Sequence, residues 1–229
     1  MSQLLLDLKP EQRPSLDNFV AGANAELVGR LRALAEPDNF DTIYLWGAEG
    51  SGRSHLLGAV ALAAEGRRLT RLVDGRQAGA DMNVPPGGLL IVDDVDRLDA
   101  DAQVSLFRAF NAARLVGHAV LLAGPVPPLQ LDVREDLRTR IGQSLIYEVK
   151  PLTDEEKSAA LARHALLRGM RVDASLVNYL LRHGRRDLPS LMAVLDALDR
   201  ATLQQQRPAT LPLLKEVMEF QFEPAAEEE

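Results

Sequence analysis

The 229-residue sequence contains no cysteine, and only 4% of its residues are aromatic. The absence of cysteine excludes disulfide bonds, thiolate metal sites and cysteine catalysis. No apolar run approaches the roughly 18–20 residues that a membrane-spanning helix needs. Gln3 and Asp7 lie where a signal peptide would need a basic start and an uninterrupted apolar core. Together, these absences predict a soluble cytoplasmic protein that does not contact membranes.

Positive charge is also scarce, because 26 Lys and Arg residues are outnumbered by 33 Asp and Glu residues, for a net charge of −7. Such a chain is a poor electrostatic match for a phosphate backbone, so duplex DNA is not expected to be its main ligand. Four arginines nevertheless lie close together in the sequence. We expect them to lie on a solvent-exposed edge of the protein, and contact with nucleic acid is the alternative. They are Arg67, Arg68, Arg71 and Arg76.

Five short apolar runs rich in Leu, Ile and Val are separated by segments long enough for helices. Continuous apolar runs are typical of parallel strands that are buried on both faces and joined by crossover helices. The sequence therefore predicts an α/β domain. Its predicted strands are Thr42–Trp46, Leu69–Val73, Leu89–Val92, His118–Ala123 and Leu145–Val149.

After Lys150 the pattern changes to helices alone. Thr153 and Glu156 form a capping box that starts the first helix, and Gly169 is its expected stop. Three more helices, introduced by Asp173, Asp187 and Thr210, are predicted at Ala174–Arg182, Leu188–Gln205 and Leu211–Phe220. The predicted divisions are an N-terminal segment at 1–14, the α/β domain at 15–150, a small helical domain at 151–222 and a solvated acidic tail at 223–229.

A phosphate-binding loop is predicted directly after the first strand. Gly47–Ser54 has the P-loop spacing G-x-x-x-x-G-K-[ST], with Arg53 in the lysine position. Glycines let backbone N–H groups turn toward phosphates, and the next helix directs its positive end at them. Arg53 would hold the outer phosphates and Ser54 would bind Mg²⁺. Because arginine is planar and larger than lysine, the loop supports nucleotide binding better than fast hydrolysis; the alternative is a turn that binds nothing.

Two acids, Asp93 and Asp94, end the third predicted strand. In this Walker B pattern, Asp93 would reach Mg²⁺ and Asp94 would orient or deprotonate the attacking water. An acid pair of this kind also commonly caps a turn. Its position about 40 residues after a P-loop favours the functional interpretation.

In order and spacing, the motifs resemble the AAA+ module of the DnaA/Hda family, most closely its short members, which inactivate the bacterial replication initiator DnaA. The resemblance runs from about residue 13 to 220 and implies ADP or ATP with Mg²⁺ on a P-loop α/β fold. That fold is a five-stranded parallel sheet sandwiched by helices and followed by a small all-α lid. The resemblance rests on Asp17-Asn18-Phe19-Val20, Gly50–Leu57 with the same Arg for Lys exchange, Pro127-Pro128 and Asp136–Arg140.

The resemblance also implies roles for individual residues. Arg140 falls on the arginine finger, which reaches the γ-phosphate held by a neighbouring subunit, although a plain surface cation is the alternative. Part of the adenine pocket falls on Asp17, Asn18, Phe19 and Val20. The remaining nucleotide-binding positions are Gly47, Gly50, Ser51, Gly52, Arg53, Ser54, His55 and Asp93, with Ser54 and Asp93 as metal ligands.

Two sensor positions depart from the family pattern. The polar sensor after the fourth strand falls on Pro125, whose side chain can neither donate nor accept a hydrogen bond. The second sensor, an arginine early in a lid helix, falls on Pro189. Arg185 or Arg186 lies about one turn earlier and could replace it, and Arg186 is the preferred candidate. Both departures predict weak intrinsic ATP hydrolysis at most.

The N-terminal residues 3–8 resemble the Gln-Leu-x-Leu-x-Leu peptide that binds the DNA sliding clamp. Gln3 would supply a directional hydrogen bond, while Leu4, Leu6 and Leu8 would fill an apolar pocket. The alternative is an amphipathic start that packs on the chain's own core.

The resemblance implies a nucleotide-bound regulator that binds the β sliding clamp and stimulates hydrolysis of DnaA-bound ATP, limiting re-initiation of replication. It would reach DNA only through the clamp, lie at the bacterial nucleoid, and be able to form a homo-oligomer. No basic helix-turn-helix follows the lid, which disfavours an initiator. Two alternatives stay open: an ATP-dependent helicase-loader-like AAA+ protein, and a nucleotide-dependent interaction module with another target.

Overall fold

A computed structural model describes residues 13–79, 81–185 and 187–222 of the chain. The chain divides into two compact units, with the boundary in the sequence between Pro151 and Leu152. Within the described residues, no helix combines the length and the apolar character needed to cross a membrane.

The first unit is built on a five-stranded parallel sheet with the strand order β2-β3-β4-β1-β5. The predicted strands agree with the observed ones to within one residue at each end. The strands are β1 (Thr42–Trp46), β2 (Thr70–Asp74), β3 (Leu89–Asp93), β4 (Ala119–Gly124) and β5 (Leu145–Glu148). The helices of this unit are α1 (Ala25–Leu34), α2 (Arg53–Ala64), α3 (Ala100–Val116) and α4 (Glu135–Gly142).

The central strands carry the apolar core on both of their faces. Along β3, Leu89 and Ile91 belong to one buried cluster, while Leu90 and Val92 belong to another. Successive side chains of a strand point to opposite faces, so both faces of β3 are covered. This coverage is the physical reason for the continuous apolar runs in the sequence, and the predicted helix-covered parallel sheet is confirmed.

The parallel arrangement gives the sheet two chemically different edges. At the carboxyl edge, the strand register pairs Trp46 with both Gly124 and Glu148, and Asp74 with Asp93. The loops that follow β1, β3 and β4 therefore begin along one line. Open parallel sheets bind their ligands at this edge.

The second unit is a bundle of α5 (Asp154–Leu167), α6 (Ala174–His183), α7 (Leu188–Gln205) and α8 (Leu211–Phe222). Thr153 and Glu156 form both hydrogen bonds of the predicted capping box. Asp173 and Asp187 each accept a hydrogen bond from a first-turn amide, as N-caps do. Gly169, at φ +75°, follows the end of α5. The buried leucines of all four helices form one apolar cluster.

Arg68 corrects the expectation of a solvated basic edge. This arginine is only 9% exposed, and its guanidinium donates to five backbone carbonyl groups near the end of α1 and before β3. Burial lowers the pKa of the Arg68 guanidinium. The expectation was wrong here because these carbonyls lie 19–34 residues away in sequence. Arg67, Arg71 and Arg76 keep exposed side chains and pair with carboxylates.

Candidate nucleotide-binding site

Gly47–Ser54 leaves the carboxyl end of β1 and leads directly into α2, which is the strand–loop–helix context that a P-loop requires. Gly50 and Gly52 adopt φ angles of +76° and +99°, where a side chain is strained. A Cβ atom on Gly52 would lie 2.8 Å from the Phe19 ring, and one on Gly47 would lie 2.8 Å from a carbonyl oxygen. The backbone path therefore needs glycine at all three positions.

Two polar atoms of this loop are buried without a hydrogen-bond partner among the described residues, namely Ser51 Oγ and Arg53 Nη1. Gly52, the N-cap of α2, offers no side chain to the amides of the first turn. Buried donors without acceptors are costly and rare in folded proteins. Phosphate oxygens would satisfy all of these groups, so the loop fits a nucleotide.

The Walker B acids lie along the same sheet edge as the P-loop. Asp93 ends β3, and its Oδ1 accepts a hydrogen bond of 2.9 Å from the amide of Asp94. The described residues contain no cluster of three or more His, Cys, Asp or Glu side chains that could hold a metal. Mg²⁺ held by Ser54 and Asp93 would therefore take its other ligands from phosphate and water, as is usual for this ion.

Asp94 has an uncommon conformation and a definite partner. Its φ angle is +46°, which few residues other than glycine adopt. One carboxylate oxygen lies 3.3 Å from Nη2 of Arg76, in the loop after β2. The sequence motif gave no sign of this pairing, because Arg76 belongs to a different strand–loop segment.

The predicted adenine segment lies partly over the P-loop. The Phe19 ring contacts Gly52, and its centroid is 5.8 Å from the ring centroid of His55 in α2. Asn18 instead forms a local turn with Ser15. The Asp17 carboxylate is 89% exposed and bound to Arg32 at 2.6 Å.

Val20 is half-buried beside this segment. Phe19 is the predicted adenine-pocket residue that packs against the P-loop glycine Gly52. Its ring and that of His55 offer apolar faces of the kind on which a base can stack.

Tyr44 is a buried residue of this region that sequence reasoning missed. Its hydroxyl donates a hydrogen bond of 2.6 Å to the carbonyl of Val126, and a Cβ atom on Gly124 would collide with that hydroxyl. Burial raises the pKa of the Tyr44 phenol, while the charge of Arg53 acts in the opposite direction. The phenol thus ties β1 to the turn after β4.

Arg140 lies at the opposite, amino edge of the sheet. Its side chain lines a cavity of about 620 Å³ together with Thr42 and Leu145, the first residues of β1 and β5. The guanidinium donates to Gln143 Oε1 at 3.3 Å and lies 6.0 Å from the centroid of the Phe107 ring. At about 3.3 Å per residue, five-residue β1 places the P-loop roughly 15 Å further along the sheet. The structure therefore does not bring Arg140 to the P-loop of its own chain.

Both the C-terminal helices and the overall fold have counterparts among known proteins. The family model "Hda, lid domain" matches residues 154–218. The fold is similar to domain III of the replication initiation protein DnaA from Thermotoga maritima, with a TM-score of 0.75 and 17% identity over 92% of this chain and 97% of that chain. The chain is thus similar to Hda over its C-terminal helical unit and to DnaA in its fold.

Other solved structures share this AAA+ fold. A DnaA bound to AMPPCP and single-stranded DNA gives a TM-score of 0.68 and 18% identity over 87% of this chain and 69% of that chain. A RuvB variant from Thermotoga maritima gives a TM-score of 0.71 and 18% identity over 90% of this chain and 72% of that chain. At such low identities these similarities establish the fold, while the lid match supplies the relation to Hda.

Both of the positions predicted for the sensors are prolines. Pro125 directly follows β4 at the carboxyl edge, and Pro189 occupies the first turn of α7. Arg186, the preferred second sensor, lies outside the described residues. The other candidate, Arg185, is 68% exposed and pairs with Asp187 at 3.6 Å.

The predicted clamp-binding peptide and the predicted acidic tail also lie outside the described residues. The peptide comprises Gln3, Leu4, Leu6 and Leu8, and the tail comprises residues 223–229.

Proposed function

We propose that this Hda/DnaA-related protein is a nucleotide-bound regulator that binds DnaA and acts on the nucleotide site of DnaA. Arg140 would enter the nucleotide site of DnaA and stimulate hydrolysis of the ATP held there. The N-terminal peptide would meanwhile hold the protein on the sliding clamp, which sits on DNA. The lid match to Hda supports DnaA as the partner, and the sequence of residues 3–8 supports the clamp.

The separation of Arg140 from the P-loop carries this proposal. An arginine finger works only within contact distance of the γ-phosphate, where it stabilises transition-state charge. Arg140 shares its cavity with the amino ends of β1 and β5, whereas Gly47–Ser54 follows the carboxyl end of β1. If Arg140 is a finger, its phosphate must belong to a second molecule.

The local partners of Arg140 support a role in which the side chain changes partner. Its hydrogen bond to the neutral amide of Gln143 is long, and its guanidinium lies 6.0 Å from the centroid of the Phe107 ring. Neither contact matches a bidentate carboxylate or phosphate pair in strength. Moving the guanidinium to a phosphate therefore costs little.

The chain's own P-loop would serve mainly to hold ADP or ATP. Ser51 and Arg53 would bind phosphate oxygens, while Ser54 and Asp93 would bind Mg²⁺, which neutralises phosphate charge when bound. Arg53 in place of lysine and Pro125 at the sensor position both argue against fast turnover here. Bound nucleotide would instead keep the loop ordered.

Single-turnover hydrolysis of ATP preloaded on DnaA, with clamp on DNA present, tests the proposal. Arg140→Ala should reduce the stimulation by about 10³-fold or more, the usual worth of an arginine finger. The matched control is Arg138→Ala, which removes another half-buried arginine from the same helix and should leave stimulation unchanged. Clamp binding and ADP binding should be normal in both variants.

The same assay separates the regulator from the helicase-loader-like alternative. The chain retains both Walker B acids, as an ATP-driven loader would require. Under the regulator proposal, Asp94→Asn has little effect, because the attacking water is in the DnaA site. Normal stimulation by Arg140→Ala together with loss in Asp94→Asn would replace the regulator with the loader.

A further inference from the structure

A buried phenol fills the turn that follows β4. Tyr44 is fully buried in the middle of β1, and its hydroxyl donates a hydrogen bond of 2.6 Å to the Val126 carbonyl. A Cβ atom on Gly124, the last residue of β4, would collide with that hydroxyl. The next residue, Pro125, has no polar atom in its side chain. The Tyr44 hydroxyl therefore supplies a polar side-chain group at this turn, from a different strand.

The hydrogen bond to Val126 determines what else this hydroxyl can bind. A phenol has one hydrogen to donate and lone pairs that can accept. Because Val126 takes the hydrogen, any further polar partner of Tyr44 must act as a donor. A guanidinium is such a partner, since it carries N–H donors and no acceptor.

Two charged side chains act on this phenol, and each of them has a buried atom without a hydrogen-bond partner. Among the described residues, Nη1 of Arg53 lacks an acceptor and Oδ1 of Asp96 lacks a donor. Burial raises the pKa of the Tyr44 phenol, the charge of Arg53 lowers it, and the charge of Asp96 raises it. Buried polar atoms are rarely left unpaired, because an unmade hydrogen bond is costly there. The unpaired donor and the unpaired acceptor are therefore complementary.

The fold holds Asp96 beside the end of β4. Asp96 lies in the short 3-10 helix Val95–Arg97, and Cγ2 of Val95 lies 3.2 Å from the place that a Cβ atom on Gly124 would take. The second carboxylate oxygen of Asp96 pairs at 3.3 Å with Nε of Arg97, whose side chain is 62% exposed. One oxygen of Asp96 is thus bound at the surface, while the other is buried.

We propose that Tyr44 and Asp96 are positioning residues for the P-loop arginine, Arg53. When phosphate is bound, Nη1 of Arg53 donates to the phenol oxygen and to the buried carboxylate oxygen, and the rest of the planar fork faces the phosphates. A lysine amine has no second donor group at a fixed angle, so this arrangement gives a physical reason for arginine at the lysine position. The inference deepens the proposed nucleotide site and rests on it.

Calorimetric titration of the full-length protein with ADP and Mg²⁺ tests the phenol. Tyr44→Phe removes only the hydroxyl and should weaken ADP binding about two- to tenfold, the usual worth of one neutral hydrogen-bond partner. The matched control is Tyr147→Phe, which removes from β5 a hydroxyl that bonds to Glu26 at 3.3 Å. This control should leave the affinity unchanged. Unchanged affinity in Tyr44→Phe as well would overturn the proposal.

The same titration tests the carboxylate, with a sign that simple electrostatics does not give. Removal of a negative charge near the site by itself favours binding of an anion. Lost positioning of Arg53 instead predicts that Asp96→Asn weakens ADP binding about fivefold. Asp101→Asn, which makes the same change of net charge at an exposed position of α3, is the control and should have no effect. Tighter binding in Asp96→Asn would overturn the proposal.

The link to Arg53 is tested by repeating both changes in an Arg53→Ala background. Because positioning acts only through the guanidinium, Tyr44→Phe and Asp96→Asn should then each change ADP affinity by less than about twofold. Losses as large as those in the wild-type background would overturn the proposal. They would show that the two residues act on the loop as a whole.

Gly124→Ala displaces the phenol by an independent route. Its Cβ atom would take the space of the Tyr44 hydroxyl, so this variant should lower both ADP affinity and the thermal midpoint. In a Tyr44→Phe background the hydroxyl is gone, and Gly124→Ala should change ADP affinity by less than about twofold. A full further loss in that background would contradict a role for the hydroxyl.

The outcome is separable from the proposed function. Absence of ADP binding to the wild-type protein would overturn the nucleotide site and this inference together. Normal ADP binding without coupling to Arg53 would overturn the inference alone. DnaA and the clamp are absent from these titrations, so the result for Arg140 is independent of them.

Discussion

At the scale of single residues, Arg53 is the clearest case of a side chain arranged for a ligand. Its Nη1 atom is buried without an acceptor among the described residues, in a loop where a Cβ atom on Gly47 or Gly52 would collide with its surroundings. Arginine presents its donors in a rigid planar fork that matches phosphate oxygens. The residue that weakens the case for hydrolysis therefore strengthens the case for binding.

Replacing Arg53 with alanine should weaken ADP and ATP binding about ten- to a hundredfold. Loss of a charge-assisted hydrogen bond is worth about 1.5–3 kcal/mol, which corresponds to that range. Titration followed by Trp46 fluorescence would measure it. Arg108→Ala, which removes an exposed arginine from α3, controls for the change in net charge. Unchanged affinity in Arg53→Ala would mean that the loop is only structural.

Some buried polar residues bind segments that are distant in sequence, and no motif identifies them. Arg68 binds carbonyls from two loops, and Tyr44 binds the turn after β4. Both are buried polar side chains whose hydrogen bonds offset the cost of removing them from water. Neither residue lies in a recognisable motif, so only the folded chain identifies its partners.

At the scale of elements, a charged cluster joins the first and third helices of the second unit. Asp196 of α7 accepts hydrogen bonds from Nε2 of His164 in α5 and from Nε of Arg168, the C-cap residue of α5, both at 2.6 Å. Asp199, one turn further along α7, lies 3.7 Å from Arg168 Nη1. These side chains are between 10% and 22% exposed, so solvent screens their interactions only partly.

Asp196→Asn should loosen the contact between α5 and α7. We expect a loss of about 1–2 kcal/mol, because a charge-assisted hydrogen bond at a partly buried site is replaced by a neutral one. Hydrogen exchange of the amides in these two helices would report it directly. Glu216→Gln is the matched control, since its pair with Arg207 is long, at 4.0 Å, and half-exposed. Equal exchange in the two variants would contradict a stabilising role for the cluster.

At the scale of the whole molecule, the first unit places its two candidate functions on opposite edges of one sheet. The carboxyl edge carries the P-loop and the Walker B acids, and the amino edge carries Arg140. A parallel sheet with short strands keeps these groups roughly 15 Å apart. Such a molecule is suited to holding one nucleotide while presenting an arginine to another.

The proposed attachment to the clamp depends on the N-terminal peptide. Gln3→Ala combined with Leu6→Ala should abolish clamp binding in a surface plasmon resonance assay while leaving the thermal midpoint unchanged, because a terminal peptide adds little to the core. Leu5→Ala is the matched control, since Leu5 occupies a variable position of the peptide pattern. A fall in thermal stability comparable to that of a core substitution would show instead that the segment packs on the protein.

The amino-acid sequence by itself determined the strands, the helix caps and the P-loop. Each of these depends on residues adjacent in the chain: apolar runs for β1 and β3, Thr153 with Glu156 for the cap, and glycines for the loop. Local backbone geometry and side-chain periodicity act over a few residues, so these elements can be predicted from the sequence without knowledge of the fold.

Only the tertiary structure decided which side chains meet across the sheet. Arg76 reaches Asp94 because β2 pairs with β3, and Arg140 lies away from the P-loop because α4 precedes the amino end of β5. Arg68 is buried because carbonyls from two distant loops converge on it. These contacts join segments far apart in sequence, and their positions follow from strand order and packing, which no local pattern encodes.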